Sequence, residues 1–205
     1  MFPEMRDLLF RPDVFFGRTL PAEKNLLTPF LIVGSGAVIS FLTDMARLEM
    51  SGRLPEPGTA DLASGILWGL ALPFLGWVVS SVILYAAARA LSGKGSFRTT
   101  LRLAGYGLLP WTIFTIVWLF TVLIFFRIPE DTYYSLWGFP PFVSGTLWVI
   151  FMVWTGILWV YALKHAHAIP RRKAVAAVIF LALFSVSAAY LFVWIQIPLS
   201  LLSCF

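Results

Sequence analysis

The sequence predicts an all-α, polytopic membrane protein: a bundle of five transmembrane helices preceded by a short amphipathic N-terminal segment. Composition is the first observation behind this. Of 205 residues, 60% are hydrophobic and 12% charged, and the mean hydropathy is +0.86. A soluble domain is nearer ~45–50% apolar and ~25% charged, so this chain cannot cover a water-facing globule. The second observation is a set of five apolar runs of 18 residues or more. Each is long enough, as a helix, for a hydrocarbon core roughly 30 Å thick. The third is how the basic residues alternate between those runs.

Met1–Asn25 comes first. Glu4, Asp7, Asp13 and Glu23 interrupt any apolar core, so the segment does not read as a cleaved signal peptide. Met5, Leu8 and Leu9 recur at i, i+3, i+4, and Asp13-Val14-Phe15-Phe16 makes a second start after Pro12. One or two amphipathic turns are expected, lying in the cytoplasmic interface or packed on the base of the bundle. Residues 26–205 read as one transmembrane domain. Its spans are expected at about 26–43, 64–88, 103–126, 142–163 and 174–197. The pieces between them are too short to bury a core of their own.

Along the six flanking pieces, Lys and Arg number 4, 2, 4, 1, 4 and 0. Pieces one, three and five thus hold 12 of the 15 cations, which puts the N-terminus in the cytoplasm and the C-terminus outside.

No Asp, Glu, Lys, Arg or His lies within a span. Intramembrane ionisable groups mark proton relays and ion paths, so a proton-coupled pump or charged-substrate carrier is not expected. Small residues stand at packing intervals instead. Gly65, Gly69 and Gly76 on the second span, and Ala182, Ser185 and Ala189 on the fifth, are expected to let backbones approach closely. Pro73 and Pro110 are expected to bend their helices, fitting curved packing or opening a cavity. Trp77, Trp118 and Trp154 fall near mid-span, where Ser80, Thr115 or Thr155 would be acceptors for their indole N–H groups. Tyr133, Tyr134 and Trp137 read as interface anchors.

Motifs for chemistry are few. Ser92-Gly93-Lys94-Gly95-Ser96 lacks the spacing of a phosphate loop and follows a span rather than a strand. It reads as a glycine turn, with Ser96 capping a helix that holds Arg98 and Arg102 on one face. His165 and His167, two apart on a helix, point in different directions and read as surface histidines rather than a metal pair. Cys204 is the single cysteine, so no disulfide or Cys-based zinc site is expected. No catalytic residue, cofactor or metal is expected, and no nucleic-acid partner. The distinctive surface is basic: Arg89, Lys94, Arg98 and Arg102 in one cytoplasmic loop, Lys164, Arg171, Arg172 and Lys173 in the next. Beyond enforcing topology, these eight cations are candidates for binding anionic headgroups or an acidic protein partner, whereas a second copy of the chain would meet the small-residue face of the second span.

The order of certain segments resembles the Yip-domain family of Ypt/Rab-interacting membrane proteins. These are Arg11-Pro12-Asp13-Val14-Phe15-Phe16, Gly93-Lys94-Gly95-Ser96-Phe97-Arg98, Gly105-Tyr106-Gly107-Leu108-Leu109-Pro110, and Leu163-Lys164-His165-Ala166-His167 followed by Arg172-Lys173-Ala174. The resemblance implies five spans and, for eukaryotic members, vesicle traffic and association with prenylated Rab GTPases. Such members usually have a long cytoplasmic N-terminal region. The 25 residues here fit a compact prokaryotic member in the cell membrane. Together these readings lead to a non-enzymatic membrane protein that organises lipid or recruits partners through its basic loops. The alternative is a small permease or lipid scramblase using a seam between the Pro73 and Pro110 helices.

Overall fold

A computed structural model describes residues 2–22, 25–50, 60–125 and 139–202. Cys204, the Tyr133–Trp137 anchors and the contacts of Gly65 and Ala189 lie outside that description. Every element among the described residues is helical: α1 (Phe2–Phe10), α2 (Pro12–Ala22), α3 (Leu27–Met50), α4 (Ala60–Ala90), α5 (Phe97–Gly107), α6 (Leu109–Phe125), α7 (Phe139–His167) and α8 (Arg171–Leu202).

Four stretches are long and apolar enough to cross a membrane: Leu27–Ala46, Gly69–Ala90, Phe97–Ile124 and Gly145–His167. They correspond to the first four expected spans, and the fifth falls within α8, one continuous helix of 32 residues. Large side chains such as Leu31, Leu67, Phe120, Ile150 and Leu183 are exposed on these helices, as lipid-facing surfaces require.

The five long helices pack in a closed order. Neighbours run α3, α6, α7, α8, α4 and back to α3. Inside that ring sits α5, touching α3, α4 and α7. Its six consecutive residues Arg102–Gly107 are all buried, so the second half of this short helix has protein on every side. A run buried all round is a plug, not a wall.

The third expected span is therefore two helices rather than one. α5 ends where the Leu108 N–H turns back to the Gly105 carbonyl in a tight 3₁₀-type bond of 3.1 Å. Pro110, which has no N–H to offer the carbonyl of Tyr106, stands two residues later and is fully buried. The break at Leu108 falls two residues before Pro110, where the span was expected to bend. Pro73 differs: α4 runs unbroken through it from Ala60 to Ala90.

The glycine expectations divide. Gly69 on α4 faces the Phe41 ring of α3, and a Cβ there would lie 3.0 Å from it. Gly76 opens on empty space with nothing within 4 Å, so its expected packing role is corrected. Ala182 and Ser185 are exposed on α8, which packs instead through Ala174, Ala177 and Leu181. A small residue marks close approach only if it faces a neighbour.

Candidate functional site

The basic end of the bundle begins where α4 stops. Gly93 N–H donates to the Ala88 carbonyl at 2.8 Å and Ser92 N–H to Arg89 at 3.0 Å, the paired bonds of a Schellman ending. Ser92 supplies the left-handed residue this needs, with φ of 70°. The chain then runs to Ser96, whose extended backbone and side chain cap α5. Its Oγ accepts the Thr99 N–H at 3.2 Å, as expected from sequence.

His167 holds this loop. It is only 1% exposed, which corrects its assignment to the surface. Its Nδ1 accepts the Gly95 N–H at 3.2 Å, which requires a neutral ring protonated at Nε2. Nε2 then donates to Thr100 Oγ1 at 2.8 Å, and that hydroxyl donates to the Ser96 carbonyl at 3.1 Å. The His167 carbonyl meanwhile accepts the Lys94 N–H at 3.1 Å. Gly93 and Gly95 are glycines because the loop presses on the end of α7. A Cβ on Gly93 would fall 2.8 Å from the His167 ring, and one on Gly95 would strike the Ala166 carbonyl. Sequence spacing separated the two histidines correctly but did not show which one turns inward.

His165 points the other way, to the N-terminal segment. Asp13 Oδ1 accepts from Lys164 Nζ at 2.6 Å and lies 2.7 Å from His165 Nε2. The bond from Lys164, and then that from His165, holds the Asp13 carboxyl below its ordinary value of 3.8. Phe16 is wholly buried, and Phe15 packs edge-on to Tyr106 of α5 with centroids 5.3 Å apart. Of the two expectations for this segment, packing on the bundle base describes α2.

Two tryptophans seat the plug. Trp77 Nε1 of α4 donates to the Leu101 carbonyl at 2.9 Å, and Trp159 Nε1 of α7 donates to Ala104 at 3.0 Å. The Ala104 carbonyl needs a donor because the Leu108 N–H that would have reached it bonds to Gly105. Gly105 and Gly107 make room: a Cβ on either would collide with Trp77 and Pro29, or with Trp159. The Trp77 acceptor is thus a backbone carbonyl, not the hydroxyl expected. Trp159 was missed. A glycine pair two residues before a Pro-broken helix was the available signal for a bulky partner.

The eight candidate cations meet at this end but do not act alike. Arg89 donates to the Gly93 carbonyl at 3.3 Å, Lys173 Nζ to the Leu91 carbonyl at 3.0 Å, and Lys164 to Asp13. These three tie the architecture together. Lys94, Arg98, Arg171 and Arg172 are exposed, Arg171 lying 5.3 Å over the Tyr161 ring. Arg102 is 6% exposed and lines, with Leu26, Ser96, Arg98 and Thr99, a cavity of about 330 Å³. Among the described residues no three His, Cys, Asp or Glu side chains gather in a way that holds a metal.

A family model for the Yip1 domain matches residues 6–197. The chain belongs to the Yip1-domain family. An uncharacterized protein of Methanocaldococcus jannaschii is 28% identical to it over 109 residues, 51% of this chain and 77% of that protein. Its source fits a prokaryotic member. No solved structure matches the chain. The four segments that carried the resemblance in sequence are the ones this Yip1 domain joins in space. Asp13 reaches Lys164 and His165, Phe15 reaches Tyr106, and Gly95 reaches His167.

Proposed function

We propose that this Yip1-domain chain is a non-enzymatic membrane protein that gathers anionic lipid at its basic, cytoplasm-facing end. The observation that supports the reading is the fusion of the two basic loops into one floor. Lys94 N–H to His167 and Lys173 Nζ to Leu91 hold residues 91–96 against residues 167–173. Lys94, Arg171 and Arg172 project from that floor, and near an anionic leaflet each cation contributes roughly 1 kcal/mol. Three such charges enrich anionic lipid on the order of a hundredfold. A role in membrane traffic, as the family implies, would use such a floor to hold a curved or charged patch of bilayer.

A permeation seam has less support. The Pro73 helix packs chiefly on α3, α5 and α8 and the Pro110 helix on α3 and α7, so the two are not principal neighbours across a shared seam. The test replaces Lys94, Arg171 and Arg172 together by Gln, leaving the three architectural cations in place. Purified protein in nanodiscs of mixed neutral and anionic lipid is then compared at low and high salt. The triple variant is expected to retain several-fold less anionic lipid, and the wild-type excess is expected to shrink as salt rises. Equal retention by both proteins removes the reading.

A further inference from the structure

The cavity at the start of α5 has a different character from the floor around it. We propose that it is a discrete phosphate site that takes the headgroup phosphate of an anionic lipid. The inference rests on the reading of the basic end as a lipid-facing surface and gives that surface one saturable position.

Five features converge there. Arg98 and Arg102 are one helical turn apart, so both side chains leave the same side of α5, and both residues line the cavity. Planar guanidinium groups match the paired oxygens of a phosphate, which a lysine ammonium does not. Ser96 and Thr99 add hydroxyls to the lining, their oxygens 2.9 Å apart at the first turn. That turn is the N-terminal end of an 11-residue helix, where the helix dipole favours an anion beside the Thr99 N–H that Ser96 already caps. The cavity, at about 330 Å³, lies at the small end of the range for small-molecule sites and is large enough for a phosphate with its glycerol. Leu26, just before α3, gives the lining an apolar side along which an acyl chain leaves.

The placement also fits the architecture. Arg102 belongs to the buried half of α5, and Arg98 to the exposed half. The lining therefore runs from surface into plug, a gradient suited to a headgroup entering from the bilayer edge. Bulk attraction to a charged floor needs no such depth.

The experiment uses the full chain in detergent with two probes, dioctanoyl phosphatidic acid and inorganic phosphate. Arg98 is exposed, so Arg98→Gln and Arg98→Lys are expected to fold, and Arg102→Lys is checked by its thermal midpoint. Wild-type protein is expected to bind the lipid saturably, and Arg98→Gln to lose at least tenfold in affinity. Arg98→Lys, keeping charge but not the planar fork, is expected to recover only part of the loss. Competition by inorganic phosphate shows that the phosphate alone is recognised; saturable lipid binding without competition assigns recognition to the lipid headgroup. Non-saturable binding, or unchanged affinity in Arg98→Gln, overturns the site. The Lys94, Arg171 and Arg172 triple variant separates the two readings. It is expected to keep saturable binding while losing bulk retention, whereas failure of the floor alone leaves its bulk retention at the wild-type level.

Discussion

His167 concentrates more of this structure in one side chain than any other residue at the basic end. It accepts from one loop, donates to α5 and lies tilted against Tyr85 of α4, with ring centroids 5.8 Å apart. Replacing it by Ala removes two hydrogen bonds at about 1 kcal/mol each and opens a hole besides. A loss of about 2–4 kcal/mol is expected, read as a lower unfolding midpoint in detergent, with faster proteolysis at residues 92–96. A midpoint within error of wild type would show that the loop holds itself. From sequence, a histidine next to the basic Arg171-Arg172-Lys173 run reads as wet, because composition cannot say which way a helix end is turned. Its neighbours at Gly93 and Gly95 were the missing clue, since a loop with two side chains deleted is a loop pressed against something.

At the scale of the element, helix positions were legible and helix partners were not. Four apolar runs read from hydropathy correspond to the four stretches able to cross a membrane, and the Ser96 cap was placed correctly. The splitting of the third run was hidden because Leu103–Phe126 is apolar throughout, and only tertiary contacts distinguish a walled-in plug from a lipid-facing wall. Glycine periodicity failed in the same way. Gly69→Leu is expected to drive into Phe41 and cost about 1–3 kcal/mol, while Gly76→Leu leaves the unfolding midpoint unchanged. If both variants behave alike, the facing of α4 assigned here is wrong. The docking of α2 on α7 has its own signature. Asp13 has a lowered carboxyl pKa in the folded protein, so its stabilising contribution is full above the ordinary value of 3.8 and disappears as pH falls through the lower, folded one. Asp13→Asn is expected to lose most of that stabilisation at neutral pH and to show a flatter pH dependence of the midpoint below about pH 4. A parallel pair of pH profiles would mean the ion pair contributes nothing measurable to stability, as is true of many exposed pairs.

For the whole molecule, the alternation of charge in the sequence anticipated a spatial fact: the N-terminal segment and the two basic loops assemble at one end. Asp13 with Lys164, and Lys94 with His167, are the joints. Which compartment that end faces is a separate matter, and from the positive-inside bias we propose the cytoplasm. A Lys94→Cys, Cys204→Ala protein in intact cells is therefore expected to resist a membrane-impermeant thiol reagent and to label after permeabilisation. Labelling of intact cells would invert the topology. The cations themselves were read from sequence as one class, yet they divide into braces (Arg89, Lys164 and Lys173), an exposed set and one buried arginine, because distance to a carbonyl or carboxylate decides what a charge does. The plug has a final implication, for the order of synthesis. Residues 97–107 leave the ribosome before Trp159 exists, and Trp159 supplies the donor that the Ala104 carbonyl takes. Until some fifty residues later, this segment has only the half of its seat that Trp77 provides, and the Ala104 carbonyl waits for its donor. The middle of such a nascent chain is gripped first by what precedes it and secured only by a residue made long after it.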